Sequence, residues 1–287
     1  MDDLPTRHST IAVASGKGGT GKTTVALNLA VAAGQPVTLA DCDVEEPNAH
    51  LFLKPRWEEN NPVSVLNPVF DGALCRGCGE CKAHCRFNAI GIFAGKPVLF
   101  PELCHSCGAC LRACPAGAIR EIPRAVGVSE AGSAGQVRLV HGRLNVGEAK
   151  SPPLIAEVRR RAGDDGLVIV DAPPGTSCPV IAAVNGVDYL VLVTEPTPFG
   201  LHDLELAVEL AKALRLPVGV VVNRAGIGGG GVRDYCASAG LPILEELAHD
   251  PRIARLYSEG RIAAQELPEY RERFARLLSR IEEEVCR

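Results

Sequence analysis

Two groups of residues in this 287-residue chain have the types and spacing to do chemistry. The first is Gly16-Lys17-Gly18-Gly19-Thr20-Gly21-Lys22-Thr23, a G-x-x-x-x-G-K-[ST] octamer. It lies between an apolar, β-branched run at residues 10–15 and a helical pattern at residues 23–33. Glycines let such a loop wrap closely, so that backbone amides and a helix N-terminus face phosphate oxygens. Lys22 is then placed to meet β and γ phosphates and Thr23 to ligate magnesium. Gly18, Gly19, Thr20, Gly21, Lys22, Thr23 and Thr24 form the expected cradle, with ATP and Mg2+ as its ligands.

The second group is eight of the twelve cysteines. Cys75, Cys78, Cys81 and Cys85 form one run; Cys104, Cys107, Cys110 and Cys114, followed by Pro115, form another. Both have the C-x2-C-x2-C-x3-C spacing with which bacterial ferredoxins hold two 4Fe–4S clusters. Paired C-x2-C units also build zinc sites, but they lack this triplet with a fourth cysteine four residues on. In the ferredoxin pattern the fourth cysteine of each run serves the other cluster. Cys75, Cys78, Cys81 and Cys114 are thus expected around one cluster, and Cys85, Cys104, Cys107 and Cys110 around the other. Arg86 stands where the first run lacks the proline of the second. Arg86 and His105 are charges or dipoles near these ligands, read mainly as solvated.

Short continuous apolar runs alternate with amphipathic stretches, which implies a parallel sheet covered on both faces. Runs at 37–40, 167–170 and 218–222 end in Asp41, Asp171 and Asn223, and 189–193 is a further strand. Residues 201–214 read as a helix, and 226–231 as a flexible loop at a strand's C-terminal end. Two short strands are expected at 137–140 and 143–146. Around residues 61–72 the text turns rich in Pro and Asn and loses periodicity, the mark of a boundary. The expected fold class is therefore α/β, a mostly parallel sheet covered by helices, with an inserted small α+β domain like a bacterial ferredoxin. Its divisions are 1–70, 71–123 and 124–287. Tyr270, Phe274, Leu277, Leu278, Ile281 and Val285 make one apolar face of a C-terminal helix. Glu282-Glu283-Glu284 in its last turn would be repelled by an anionic bilayer, so packing on the sheet is expected rather than membrane targeting.

The GKGGTGKT form of the loop, with its early Lys17, resembles the deviant Walker A of the MinD/ParA/Mrp and nitrogenase-reductase superfamily. That resemblance implies a dimer that sandwiches ATP, with Lys17 reaching the partner's nucleotide. Asp41-Cys42-Asp43 with Pro47-Asn48 looks like the family's second aspartate motif, which implies that Asp43 positions the attacking water and Asp41 supports the magnesium shell. Asp171-Ala172-Pro173-Pro174-Gly175 looks like its Walker B and switch II segment, with Asp171 on magnesium through water. Asn223-Arg224 resembles the adenine-recognition position. More narrowly, Asp43-Val44-Glu45-Glu46-Pro47-Asn48 and the segment Pro173 to Pro179 are similar to MinD-like ATPases with an inserted ferredoxin domain. Lys17, Lys22 and Asp43 are the catalytic candidates this implies.

The remaining cysteines are read separately. Cys42 is expected to be buried, and Cys236 and Cys286 to be packing or surface residues. Nitrogenase-type reductases bridge subunits with two cysteines per chain after switch II; Cys178 alone stands there, so a buried thiol is expected.

A net charge of −4 offers no strong attraction to nucleic acid or anionic lipid. The opening Met1-Asp2-Asp3-Leu4-Pro5 lacks the basic and apolar regions of a leader, and no apolar run approaches a membrane span. The expectation is a cytoplasmic ATPase, a homodimer or a heterodimer with a paralogue, acting on an unidentified redox or client protein. Three functions fit: ATP-gated electron transfer or redox regulation, an iron–sulfur carrier, and a MinD-like positioning ATPase that senses redox state.

Overall fold

The computed structural model of the chain describes residues 8–286, so the leader-like question at Met1 to Pro5 lies outside the described residues. Eleven strands are present among them: β1 (Ser9–Ala14), β2 (Val37–Asp41), β3 (Arg56–Phe70), β4 (Ile90–Phe93), β5 (Lys96–Leu99), β6 (Ile119–Ala134), β7 (Val137–Leu144), β8 (Leu167–Asp171), β9 (Tyr189–Thr194), β10 (Val218–Ala225) and β11 (Ile243–Ala248). Nine of them form one sheet in the order β11-β10-β9-β1-β8-β2-β7-β6-β3. From β11 to β7 every neighbouring pair is parallel, whereas β6 runs antiparallel to both β7 and β3.

The continuous apolar strands are buried on two sides, as parallel sheets require. Side chains alternate across each strand. Ile11, Val13, Leu39 and Ile169 pack with helices Lys22–Ala32 and Pro268–Val285 on one face. Ala12, Ala40, Val168 and Val170 pack with helices Pro152–Ala162, Cys178–Val184 and Pro198–Ala213 on the other. The expected apolar face of the last helix is buried at Tyr270, Phe274, Leu277, Leu278 and Ile281, against the sheet. Among the described residues no helix is long and apolar enough to cross a membrane.

Two expectations are corrected. The Pro- and Asn-rich stretch, read as losing periodicity, is regular strand as far as residue 70, part of the fifteen-residue β3. Among the described residues β3 pairs only with β6 and lies at the sheet's edge, where prolines such as Pro62 and Pro68 are tolerated. The two strands expected at 137–140 and 143–146 are one, β7, which passes through Gly142. A Cβ at Gly142 would come within 2.7 Å of Val44 Cγ1 and 2.9 Å of Leu154 Cγ, so the glycine serves close packing and not a turn.

The β3–β6 ladder extends from Arg56↔Ser133 at its root to Phe70↔Ile119 at its tip. Residues 71–118 fill the tip with short helices Glu80–Ala83 and Ala109–Ala113 and the β4–β5 hairpin. The apolar cluster there is small: Cys81, Ile90, Cys110 and Ile119, with Phe70 and Ile92 partly buried against it.

Candidate functional site

β1 delivers the chain into the loop, which turns at Gly19 (φ 81°) and Gly21 (φ 94°) before helix Lys22–Ala32. Both angles lie where side chains other than glycine are strained. At Gly21 space is also denied, since a Cβ would approach Asn223 Nδ2 to 2.3 Å. That amide donates to the Thr20 carbonyl at 2.7 Å. Asn223, near the end of β10 and two strands from β1, therefore clamps the loop. Ser15 Oγ donates to the Lys17 carbonyl at 2.7 Å and closes the loop's entry.

The parallel registers set Asp41 beside Asp171, one strand from β1. Lys22 points into this group, 3.1 Å from Asp171 Oδ1 and 3.9 Å from Asp43 Oδ2. Burial disfavours the lysine's charge, but Asp171 and Asp43 outweigh it and hold its pKa above the usual value. Burial, with the Asp171 charge adding, pushes Asp41 up to about 7. Burial likewise raises Asp43, against the pull of Lys22. One ammonium thus pairs with two carboxylates, with Asp41 beside Asp171 in the next strand, an arrangement suited to a hard cation. The Asp171 Oδ2 and Thr20 Oγ1 atoms are buried without a hydrogen-bond partner. Thr23 is buried in the first turn of the helix, next to Lys22, and Thr24 is half-buried. These groups fit a magnesium-bound nucleotide.

Asp41 does something its sequence position did not indicate. Its Oδ2 accepts from the amides of Asn48 (3.1 Å) and Ala49 (3.0 Å), and its Oδ1 from Asp43 (3.2 Å). Both oxygens are engaged in folding the loop that carries Asp43. Lys17 lies 3.8 Å from Glu195, whose other oxygen pairs with the Arg224 guanidinium. Glu195 follows β9 with no motif to mark it, and sequence reasoning missed it.

In the tip the eight cysteines divide four and four. One small cavity is lined by Cys75, Cys78, Cys81 and Cys114, and another by Cys85, Cys104, Cys107 and Cys110. Backbone amides point at several sulfurs: Ala89 at Cys85 (3.3 Å), Ala118 at Cys114 (3.3 Å) and Ser106 at Cys104 (3.5 Å). Amides aimed at sulfur favour a thiolate, the form that binds metal. As free thiols two of the three buried tip cysteines are held the other way: burial pushes Cys110 up to about 11 and raises Cys81. Ligation would remove those protons. Among the described residues no three His, Cys, Asp or Glu side chains converge closely enough to hold a single metal ion. The thiols are spaced around cavity walls. Arg86 is exposed, and His105 stacks on Phe87 with ring centroids 3.8 Å apart.

Cys42 is fully buried, and burial raises its thiol pKa strongly. Cys236 is buried and Cys286 exposed. Cys178 is a correction: it is exposed, not buried, because it opens helix Cys178–Val184, whose core-facing positions are Val180, Ala183 and Val184.

Residues 11–263 match the profile of the CobQ/CobB/MinD/ParA nucleotide-binding domain. The chain belongs to that family. Among curated proteins this family member is 35% identical over 222 residues to MJ0578, an uncharacterized protein of Methanocaldococcus jannaschii, covering 76% of this chain and 78% of that one. It is 28% identical over 278 residues to MJ0579 of the same organism, covering 87% and 89%. Among solved structures its fold resembles the septum site-determining protein MinD of Pyrococcus horikoshii, solved with Mg-ADP. The TM-score is 0.58 at 22% identity, over 95% of each chain.

Proposed function

We propose that this family member is a MgATP-hydrolysing, dimeric switch whose inserted tip, residues 71–123, carries two 4Fe–4S clusters and passes electrons under nucleotide control. The observation that carries the proposal is the division of the eight cysteines around two cavities, four to each, in the crossed grouping expected from their spacing. The clusters, when bound, supply one-electron carriers. Cys75, Cys78, Cys81 and Cys114 would hold one, and Cys104, Cys107, Cys110 and Cys85 the other.

At the nucleotide, the amides of Gly18, Gly19, Thr20 and Gly21 bind phosphate, and Lys22 turns from its carboxylates to the β and γ oxygens. Thr23 and Asp171 would hold magnesium, which would neutralise phosphate charge, and Asp43 would orient the attacking water. Asp41 keeps Asp43 in place through the 43–49 loop. Asn223 braces the loop beneath the adenine. Lys17 leaves Glu195 to reach the nucleotide of a second subunit, which is a copy or a paralogue. Mg-ADP in the MinD neighbour agrees with this use of the fold. That likeness also favours a second reading, in which the chain positions a client protein and its clusters sense redox state. A cluster carrier would share the same nucleotide chemistry.

The test is anaerobic iron and acid-labile sulfide analysis with ATPase assay. About eight irons per chain are expected. Cys104→Ala is expected to lose about half of them while MgATP hydrolysis persists. Full retention of iron in that variant would refute the ligand scheme.

A further inference from the structure

The segment between β7 and helix Pro152–Ala162 touches both functional regions. On the nucleotide side, the Leu144 amide donates to the carbonyl of Val44, the residue after Asp43, at 2.9 Å. The same segment lines an open cleft with Asp43, Glu45, Pro173 and Ser177. It is held to β6 by Asn145, whose amide donates to the Val126 carbonyl (2.9 Å) and whose side chain donates to Ala125 (3.2 Å). Glu148 is nearly buried, pairs with the Arg124 guanidinium, and accepts from the Lys150 amide at 3.2 Å. At its far end Lys150 crosses to the tip. Its ammonium donates to the carbonyls of Pro101, at 3.1 Å, and of Cys104.

We propose that residues 144–150 form a strap linking the Asp43 segment to the Cys104 cavity, with Lys150 as a positioning residue that tunes the cluster held there. The inference rests on the cluster reading above for its redox part, and on geometry alone for the mechanical part. A positive charge on the backbone of a ligand cysteine stabilises the more negative, reduced state of its cluster; net charge and hydrogen bonding are levers that set such potentials. Lys150 hydrogen-bonds the Cys104 backbone and no residue lining the cavity of Cys75, Cys78, Cys81 and Cys114, which has Arg76 in its own wall. The two clusters are therefore unequal, and only the one at Cys104 responds to Lys150. Any nucleotide-driven displacement of Val44 is carried by Leu144 and Glu148 to that ammonium. Coupling then needs a differential contact in the two nucleotide states, and the Lys150 pair of hydrogen bonds is that contact.

The test compares the full-length, cluster-loaded wild type with Lys150→Met and Lys150→Arg. All three are expected to keep full iron and to bind a MgATP analogue. In anaerobic redox titration followed by electron paramagnetic resonance, Lys150→Met is expected to shift one cluster only. Its reduced-to-oxidised ratio at fixed potential falls about tenfold, 59 mV for a one-electron couple, and Lys150→Arg restores it. Hydrogen–deuterium exchange over residues 98–108 is the second readout. The MgATP analogue is expected to change exchange there in wild type and Lys150→Arg, and not in Lys150→Met. Equal potentials and equal exchange responses in wild type and Lys150→Met would overturn the strap. Wild type without iron would instead overturn the cluster reading, and exchange alone would still decide whether the strap transmits.

Discussion

The ammonium of Lys22 lies 3.1 Å from Asp171 Oδ1, although 149 residues separate them in sequence. Both side chains are almost fully buried, and Asp43 stands 3.9 Å from the same ammonium. The lysine that would meet phosphate is therefore also the counter-charge of the cation site. Removing it leaves Asp171 buried without a partner, and breaking a buried pair on one side costs about 3–5 kcal/mol. Lys22→Ala is expected to abolish MgATP binding and to lower the melting temperature. Adding Asp171→Asn should recover part of the melting temperature and none of the binding. Unchanged hydrolysis in Lys22→Ala would remove the site assignment.

Gly21→Ala tests the loop without touching a charge. Its φ of 94° disfavours an alanine, and the new Cβ would strike Asn223 Nδ2 at 2.3 Å. Asn223 must then release the Thr20 carbonyl. Nucleotide affinity is expected to fall at least tenfold, measured by calorimetry. Asn223→Ala should fall less, since it loses the clamp and leaves the φ angles intact.

At the root of the ribbon, His141 is buried, bonds Glu130 at 3.1 Å, stacks on Trp57 (4.7 Å) and meets the edge of His50 (5.2 Å). Burial holds both histidines below the usual range, against the pull of Glu130 and with Arg143 adding to the depression. The unfolded chain therefore takes up these protons first as pH falls through about 6.5, the ordinary histidine value. Stability is lost from there down to the folded pKa, and is unaffected above. The melting temperature should drop more between pH 7.5 and 5.5 in wild type than in His141→Gln. Parallel pH profiles would contradict this.

Features carried by consecutive residues were legible in the sequence: the phosphate loop, the two cysteine runs, the last helix's apolar face and the parallel core. What escaped depends on distant partners. Pro62 and Pro68 read as a break because proline interrupts a ladder, yet β3 lies at the sheet's edge, where prolines are tolerated. Residues 137–146 read as two strands because nothing local reveals Val44 and Leu154 pressing on the Gly142 Cα between them. Cys178 looked like a core thiol until its helix showed which positions face inward. Glu195 and Lys150 are single charges without a motif, and only the fold brings them to Lys17 and to the Cys104 carbonyl.

The most direct measurement is an anaerobic redox titration of the wild type with and without a non-hydrolysable MgATP analogue. A switch that gates electrons predicts a shift in one cluster on the order of 60 mV, roughly 1.4 kcal/mol of coupling for a one-electron couple. Coincident titrations of both clusters, with nucleotide binding shown in the same sample, would contradict it.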